Sequence, residues 1–168
     1  AELSYRKHQD LLIDVISLLK DKVPNIKLVL AGMGDLFEQY KEQAKRLDVE
    51  ENIQFLGYRN DVSNLMLMSD IAVSSSRQEG LPVNVMEAMA TGLPLVVTDC
   101  RGNRDLVQNG ENGYVIRIND VEGFANAVEK LYNSEKLRRE MRNKSIELVK
   151  QYSLETVLRQ MEKIYPNI

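Results

Sequence analysis

Glu79 and Glu87 are the residues whose type and spacing best suit chemistry, because they flank a Gly80-Leu81-Pro82 turn that opens a short helix. Both lie in the stretch Ser74-Ser75-Ser76-Arg77-Gln78-Glu79-Gly80-Leu81-Pro82-Val83-Asn84-Val85-Met86-Glu87-Ala88-Met89-Ala90-Thr91-Gly92-Leu93-Pro94. Proline is tolerated in a first helical turn and glycine ends a helix, so a helix is predicted from Pro82 or Val83 to Gly92. Its first N–H groups have no intrahelical acceptor, and together with the helix dipole they suit an anion. At about 3.6 residues per turn, Val85, Met86, Met89 and Ala90 share one face, while Asn84, Glu87 and Thr91 share another. The first face packs; the second is free to meet a polar ligand. A carboxylate at Glu87 suits paired hydroxyls such as a ribose diol, and it equally fits a solvated helix surface.

Other loops carry polar residues at comparable positions. Arg6 and Lys7 precede a helix in which Leu11, Leu12, Val15, Leu18 and Leu19 fall on one face. Basic residues there fit a phosphate site or a solvated loop. His8 reads as a helix-entry residue rather than a catalyst. Gly32-Met33-Gly34 follows an apolar run and resembles a dinucleotide turn, but Phe37 stands where the third glycine of that fingerprint belongs, which disfavours a nicotinamide cofactor. Gly32 and Gly34 would still let a loop pass close to a ligand. At Gly57-Tyr58-Arg59, main-chain groups are placed to read the edge of a planar base, although turn chemistry alone also explains Gly57.

These loops need a frame. Apolar runs predict strands over 26–32, 53–56, 70–75, 94–99 and 114–118. Helices are predicted over 36–47, 62–68, 121–132, 134–151 and 153–165, with a loop and brief helical turn over 100–107. Ala1-Glu2-Leu3 reads as the tail of a strand, which suggests part of a larger protein. Valine-, isoleucine- and leucine-rich strands alternating with amphipathic helices imply an α/β, Rossmann-like fold. The sheet is expected to be mainly parallel with helices on both faces, followed by a helical C-terminal end. Ligands bind such sheets outside the carboxyl ends of the strands. The Lys7, Gly32, Gly57, Glu79 and Arg101-Gly102-Asn103 loops all follow predicted strands and converge on one rim.

Composition narrows the classes. A length of 168 residues suits one domain, and the formal net charge of −3 gives no basic excess for nucleic-acid binding. The single cysteine, Cys100, excludes an internal disulfide and a cysteine metal cluster, and points to a reducing, cytoplasmic setting. With His8 the one histidine, a histidine-rich metal site is excluded as well. Apolar runs are of strand length, too short to cross a bilayer.

The stretch from Ser76 to Pro82, followed by Glu87-Ala88-Met89-Ala90-Thr91-Gly92-Leu93-Pro94, resembles the donor-site signature of retaining GT-B glycosyltransferases of family four, the glycosyl transferases group 1 type. The likeness extends over nearly the whole chain, from Lys7 through Leu30-Ala31-Gly32-Met33-Gly34, Phe55-Leu56-Gly57 and Asn109-Gly110-Glu111-Asn112-Gly113 to Ile164-Tyr165. Within the family, Arg101-Gly102-Asn103-Arg104-Asp105 and Arg6-Lys7-His8 are most similar to bacterial capsular and exopolysaccharide enzymes.

The resemblance implies that residues 1–168 form a single C-terminal nucleotide-sugar-binding domain, with the N-terminal acceptor domain absent. It implies Lys7 on the donor diphosphate, Glu87 on the ribose hydroxyls and Glu79 beside the donor sugar at the reacting centre. Gly80, Leu81, Pro82, Val83 and Asn84 would line sugar and phosphate, and Tyr58 and Arg59 would hold the base. One departure is Glu2, where many members carry arginine; diphosphate neutralisation then leans on Lys7 with Arg6 or Arg77. The expected substrate is a UDP- or GDP-sugar, with no cofactor and no metal, since no D-x-D pair occurs. The expected acceptor is a glycan or lipid-linked sugar held by the other domain, with peripheral membrane association of the full-length enzyme. The segment carrying Leu154, Val157, Leu158, Met161 and Ile164 is expected to expose an apolar stripe. A related GT-B epimerase or phosphorylase, and an inert nucleotide-binding or interaction module, stay open as alternatives.

Overall fold

Short runs of branched aliphatic residues form the strands β1 (Leu28–Ala31), β2 (Ile53–Gly57), β3 (Ala72–Ser74), β4 (Leu95–Thr98) and β5 (Gly113–Ile116). The computed structural model describes residues 1–165. Each pairing is parallel, as the alternation of strands and helices implies. β1 lies beside β2 with Leu28 opposite Ile53, and β3, β4 and β5 follow in that order with Ala72 opposite Leu95 and Leu95 opposite Gly113. The two ladders are separate pieces.

The helices are α1 (Gln9–Leu19), α2 (Phe37–Arg46), α3 (Val62–Leu67), α4 (Val83–Ala90), α5 (Arg101–Leu106), α6 (Val121–Tyr132), α7 (Glu135–Val149) and α8 (Leu154–Ile164). Side chains alternate across β4: Val96 joins one apolar cluster, while Leu95 and Val97 join the other. The first cluster packs α1, α2 and α6 through Leu19, Tyr40, Phe124 and Leu131; the second packs α4 and α5 through Val85, Met89 and Leu106. Helices therefore cover both faces, and each fully buried leucine contributes roughly 2 kcal/mol.

Asp120, Ser134 and Ser153 cap the last three helices, each accepting a hydrogen bond from a first-turn amide. Leu154, Val157, Leu158, Met161 and Ile164 of α8 are exposed, forming the expected stripe. Two local expectations are corrected. The 100–107 segment forms a six-residue helix rather than a loop with a brief turn. On α4, Val85, Met86 and Met89 pack as expected, but Ala88 is buried and Ala90 is exposed, because the helix lies between the sheet and α7. No helix among the described residues is long and apolar enough to cross a membrane.

Candidate functional site

The loop after β3 and the turn before α1 meet at Glu79. Its side chain is only 8% exposed, yet both carboxylate oxygens are satisfied. Oε1 accepts from Lys7 Nζ at 2.5 Å and from Ser76 Oγ at 2.6 Å, while Oε2 accepts from Arg6 Nη1 at 3.3 Å. Burial opposes ionisation of Glu79, but the hydrogen bonds from Lys7 and Ser76 and the charges of Lys7 and Arg6 outweigh it and hold the carboxyl below its usual range. A cation pair and a shielded anion thus share one spot.

Bonds to the main chain fix that meeting. Arg77 N donates to Arg6 O at 2.9 Å, and Ser75 Oγ donates to Lys7 O at 2.8 Å. Behind them, Thr98 Oγ1 donates to Ser76 O, and fully buried Asn103 donates from Nδ2 to Thr98 O at 2.9 Å. The polar triplet Ser74-Ser75-Ser76 is buried for this reason: its groups are partnered.

A second polar cluster braces the same turn. His8 is buried with φ 54°, and Asn119 has φ 69°; both occupy the left-handed region that glycine normally takes. Their side chains meet, His8 Nε2 lying 2.9 Å from Asn119 Oδ1, and Arg77 Nη1 donates to that same oxygen at 2.9 Å. His8 Nδ1 lies 2.8 Å from Asp10 Oδ1 and 2.9 Å from Arg77 Nη2, and the Arg77 guanidinium stacks over the Tyr5 ring. Burial opposes ionisation of Asp10, and the His8 hydrogen bond and charge outweigh it, lowering that carboxyl too.

Pro82 precedes α4, which has no side-chain cap; Val85 N and Met86 N already donate to Pro82 O, leaving the Val83 and Asn84 amides at the helix start without helical acceptors. Glu87 is exposed one turn along, Asn84 is half-buried, and Leu81 and Val83 are exposed. Gly102, at the start of α5, packs so tightly on the Glu79-Gly80 loop that an added Cβ would lie 2.2 Å from Gly80 O. A cleft of about 640 Å³ runs beside the site, bounded by Arg77, Glu79, Leu81, Asp99, Arg101 and Arg104.

Gly32 (φ 144°) and Gly34 abut the main chain of Ala1 and Leu3, a packing that accounts for both glycines. Tyr58 is 81% exposed, and Arg59 is held by Asp61, Nε to Oδ1 at 2.8 Å. The five loops form a chain of main-chain bonds: Gly32 N to Gly57 O, Leu3 N to Met33 O, Arg77 N to Arg6 O, and Gly102 N to Glu79 O. Sequence reasoning gave Ser76 and Asn119 no role, placed Asn103 only on a rim loop, and gave His8 no part beyond helix entry. Ser76 stands three residues before Glu79, an available signal for a local hydroxyl-to-carboxylate bond.

With this geometry defined, the chain compares with known proteins as follows. The family model "Glycosyl transferases group 1" matches residues 1–148. The chain is 36% identical over 165 residues to the putative glycosyltransferase EpsD of Bacillus subtilis, covering 98% of this chain and 43% of that protein. It is 36% identical over 107 residues to an Escherichia coli UDP-Gal:alpha-D-GlcNAc-diphosphoundecaprenol alpha-1,3-galactosyltransferase, covering 63% of this chain and 28% of that one. Among solved structures, a mutant of S. aureus TarM in complex with Fondaparinux, alpha-GlcNAc-glycerol and UDP superposes with a TM-score of 0.90 at 26% identity, covering 98% of this chain and 34% of that chain. The chain spans less than half the length of the curated relatives it matches.

Proposed function

The chain belongs to the glycosyl transferases group 1 family, and on that premise we propose that it is the C-terminal donor-binding domain of a retaining GT-B glycosyltransferase. The whole protein moves a hexosyl group from a nucleoside-diphosphate sugar to a glycan or lipid-linked acceptor in polysaccharide biosynthesis. It works on the cytoplasmic side, peripheral to the membrane. The E. coli relative, an alpha-1,3-galactosyltransferase named for a diphosphoundecaprenol-linked acceptor, supports the lipid-linked reading.

The observation that carries this reading is the meeting of Lys7, Arg6 and Glu79 beside the uncapped start of α4. Glycosyl transfer requires a departing diphosphate to be neutralised and a cationic sugar to be stabilised. Lys7, Arg6 and the Val83 and Asn84 amides serve the first need. Glu79, held ionised, serves the second by facing the sugar or binding its hydroxyls. The chain's own cations neutralise the diphosphate, so the reading requires no metal. Glu87, one turn into α4, takes the ribose hydroxyls, and Tyr58 and Arg59 flank the base. Gly80, Leu81 and Pro82 line the sugar with main-chain groups, and Gly32 and Gly34 bring their loop up to the segment leading to Lys7.

Titration calorimetry with UDP and GDP tests the domain directly. The chain is expected to bind one of them, Glu87→Ala to bind it less, and the chain alone to transfer no sugar. Absence of binding to both nucleotides, or transfer by the chain alone, would overturn the reading.

A further inference from the structure

His8 Nδ1 stands between two neighbours that need opposite things from it. Ionised Asp10, with Oδ1 at 2.8 Å, can only accept a hydrogen bond, whereas Arg77 Nη2, at 2.9 Å, can only donate one. One nitrogen cannot serve both, so its proton decides which neighbour it holds. The other ring nitrogen has no such choice. Arg77 Nη1 donates to Asn119 Oδ1, which fixes that atom as the oxygen, and an oxygen 2.9 Å from His8 Nε2 requires a proton on Nε2. Neutral His8 therefore offers its Nδ1 lone pair to Arg77. Charged His8 donates from Nδ1 to Asp10, and Arg77 Nη2 then loses its acceptor and faces a like charge.

The charged groups in contact with His8 are Asp10 on α1 and Arg77 in the loop after β3. The loop between β5 and α6 presents the uncharged Asn119, and the Tyr40 hydroxyl of α2 lies against Ser4 O and Gln9 Oε1 instead. Arg77 is poised to leave. Its guanidinium is held by His8, Asn119 and the largely exposed Tyr5 ring, while its Nε is buried with no hydrogen-bond partner among the described residues. An unpaired buried donor disfavours the docked position. The main chain stays in place, because Arg77 N donates to Arg6 O and Ser75 Oγ to Lys7 O. Arg77 also bounds the cleft beside Glu79, so a released guanidinium has open space on that side.

We propose that His8 is a proton-operated latch on Arg77: neutral His8 stows the guanidinium against Asn119, and protonation hands Nδ1 to Asp10 and frees Arg77 for the anion seat at Glu79. His8, Asp10 and Asn119 are positioning residues, and Arg77 is the group they hold or release. The last step rests on the donor-binding reading. Freed Arg77 joins Lys7 and Arg6 on the donor diphosphate, so donor binding takes up a proton and strengthens as pH falls through the titration of His8.

The test follows the chain from about pH 8 to about pH 5.5, within the span in which histidine side chains change charge. NMR of the ring nitrogens of His8, the one histidine in the chain, reads the proton, and nuclear Overhauser contacts of the Arg77 side chain with the Tyr5 ring read the latch. The expected result is loss of those contacts at the same midpoint at which Nδ1 gains its proton. Asp10→Asn removes the acceptor of the charged form and is expected to move both changes to lower pH together, which a merely structural network would not do. Calorimetry with UDP-glucose and with GDP-mannose, whose diphosphates do not titrate in this span, reads the consequence. Affinity for the nucleotide sugar that binds is expected to rise about threefold on acidification and to stay level in His8→Asn, a residue that tolerates the left-handed backbone. Contacts of Arg77 with Tyr5 that persist through Nδ1 protonation, or equal pH profiles in the chain and in His8→Asn, would overturn the latch. Binding of neither nucleotide sugar would sink the donor-binding reading instead, and the Arg77 contacts would still decide whether His8 releases it.

Discussion

Lys7 and Glu79 stand 72 positions apart in the sequence and form an ion pair whose carboxylate is almost wholly buried. The pair joins the turn before α1 to the loop before α4, so one contact defines the spacing between a cation and the start of a helix. On the proposed reading, a diphosphate that engages Lys7 shares it with Glu79, while Ser76 and Arg6 keep the carboxylate satisfied.

Replacing Lys7 by alanine removes the better-shielded of the two cations at this spot. A charge-assisted contact of this kind is worth about 1.5 kcal/mol or more, so UDP affinity is expected to fall by about tenfold. Calorimetry on the variant decides the matter; unaltered affinity would remove Lys7 from the diphosphate seat.

Glu79 also sets a pH dependence. Its carboxyl is depressed in the folded chain, so its contribution to stability is present above the unfolded value of about 4.3 and is lost as pH falls through the lower folded value. Urea unfolding of the chain and of Glu79→Gln, followed from neutral pH down through that window, is expected to show a gap that narrows on acidification. A gap independent of pH would contradict the depressed carboxyl.

His8 combines a left-handed backbone with buried side-chain bonds. His8→Ala keeps the unfavourable φ and loses the bonds, and is expected to cost about 2 kcal/mol. His8→Gly loses the same bonds but adopts φ 54° freely, and is expected to cost less by about 1 kcal/mol. Denaturant midpoints of the two variants measure the difference; equal losses would show that the backbone carries no strain.

Gly102→Ala brings a Cβ against Gly80 O and the Pro82 ring, which forces α5 and the Glu79-Gly80 loop apart. The expected outcome is a loss of about 2 kcal/mol in stability together with weakened UDP binding. Crystallographic superposition of the variant would reveal the displaced loop, and an unmoved loop with full stability would refute the packing argument.

The limits of α4 were legible because Pro82 and Gly92 are punctuation that any helix must obey, and the strands were legible as apolar runs between glycine turns. Contacts between loops were a different matter. That Lys7 pairs with Glu79 depends on which strands lie side by side, and composition and periodicity do not encode that order; the sequence placed both residues on one rim but not against one another. Asn119 carries a recognisable left-handed signal at the boundary before the last helices, whereas His8 does not, and its φ of 54° rests on a side-chain network formed by the fold. Asn103 was placed on a rim loop as a candidate ligand contact, but it is fully buried, its Nδ2 donating to Thr98 O. Ala88 rather than Ala90 joins the packed face because α4 is flanked by both the sheet and α7, neighbours that periodicity alone does not identify.

The links Gly32 to Gly57, Leu3 to Met33, Arg77 to Arg6 and Gly102 to Glu79 all run through main-chain atoms. Their strength is therefore indifferent to which side chains project from the rim. On the proposed reading, exchanging Tyr58, Leu81 or Val83 would alter what the rim recognises while leaving its scaffold in place, so a change of donor preference would require new side chains and no new architecture.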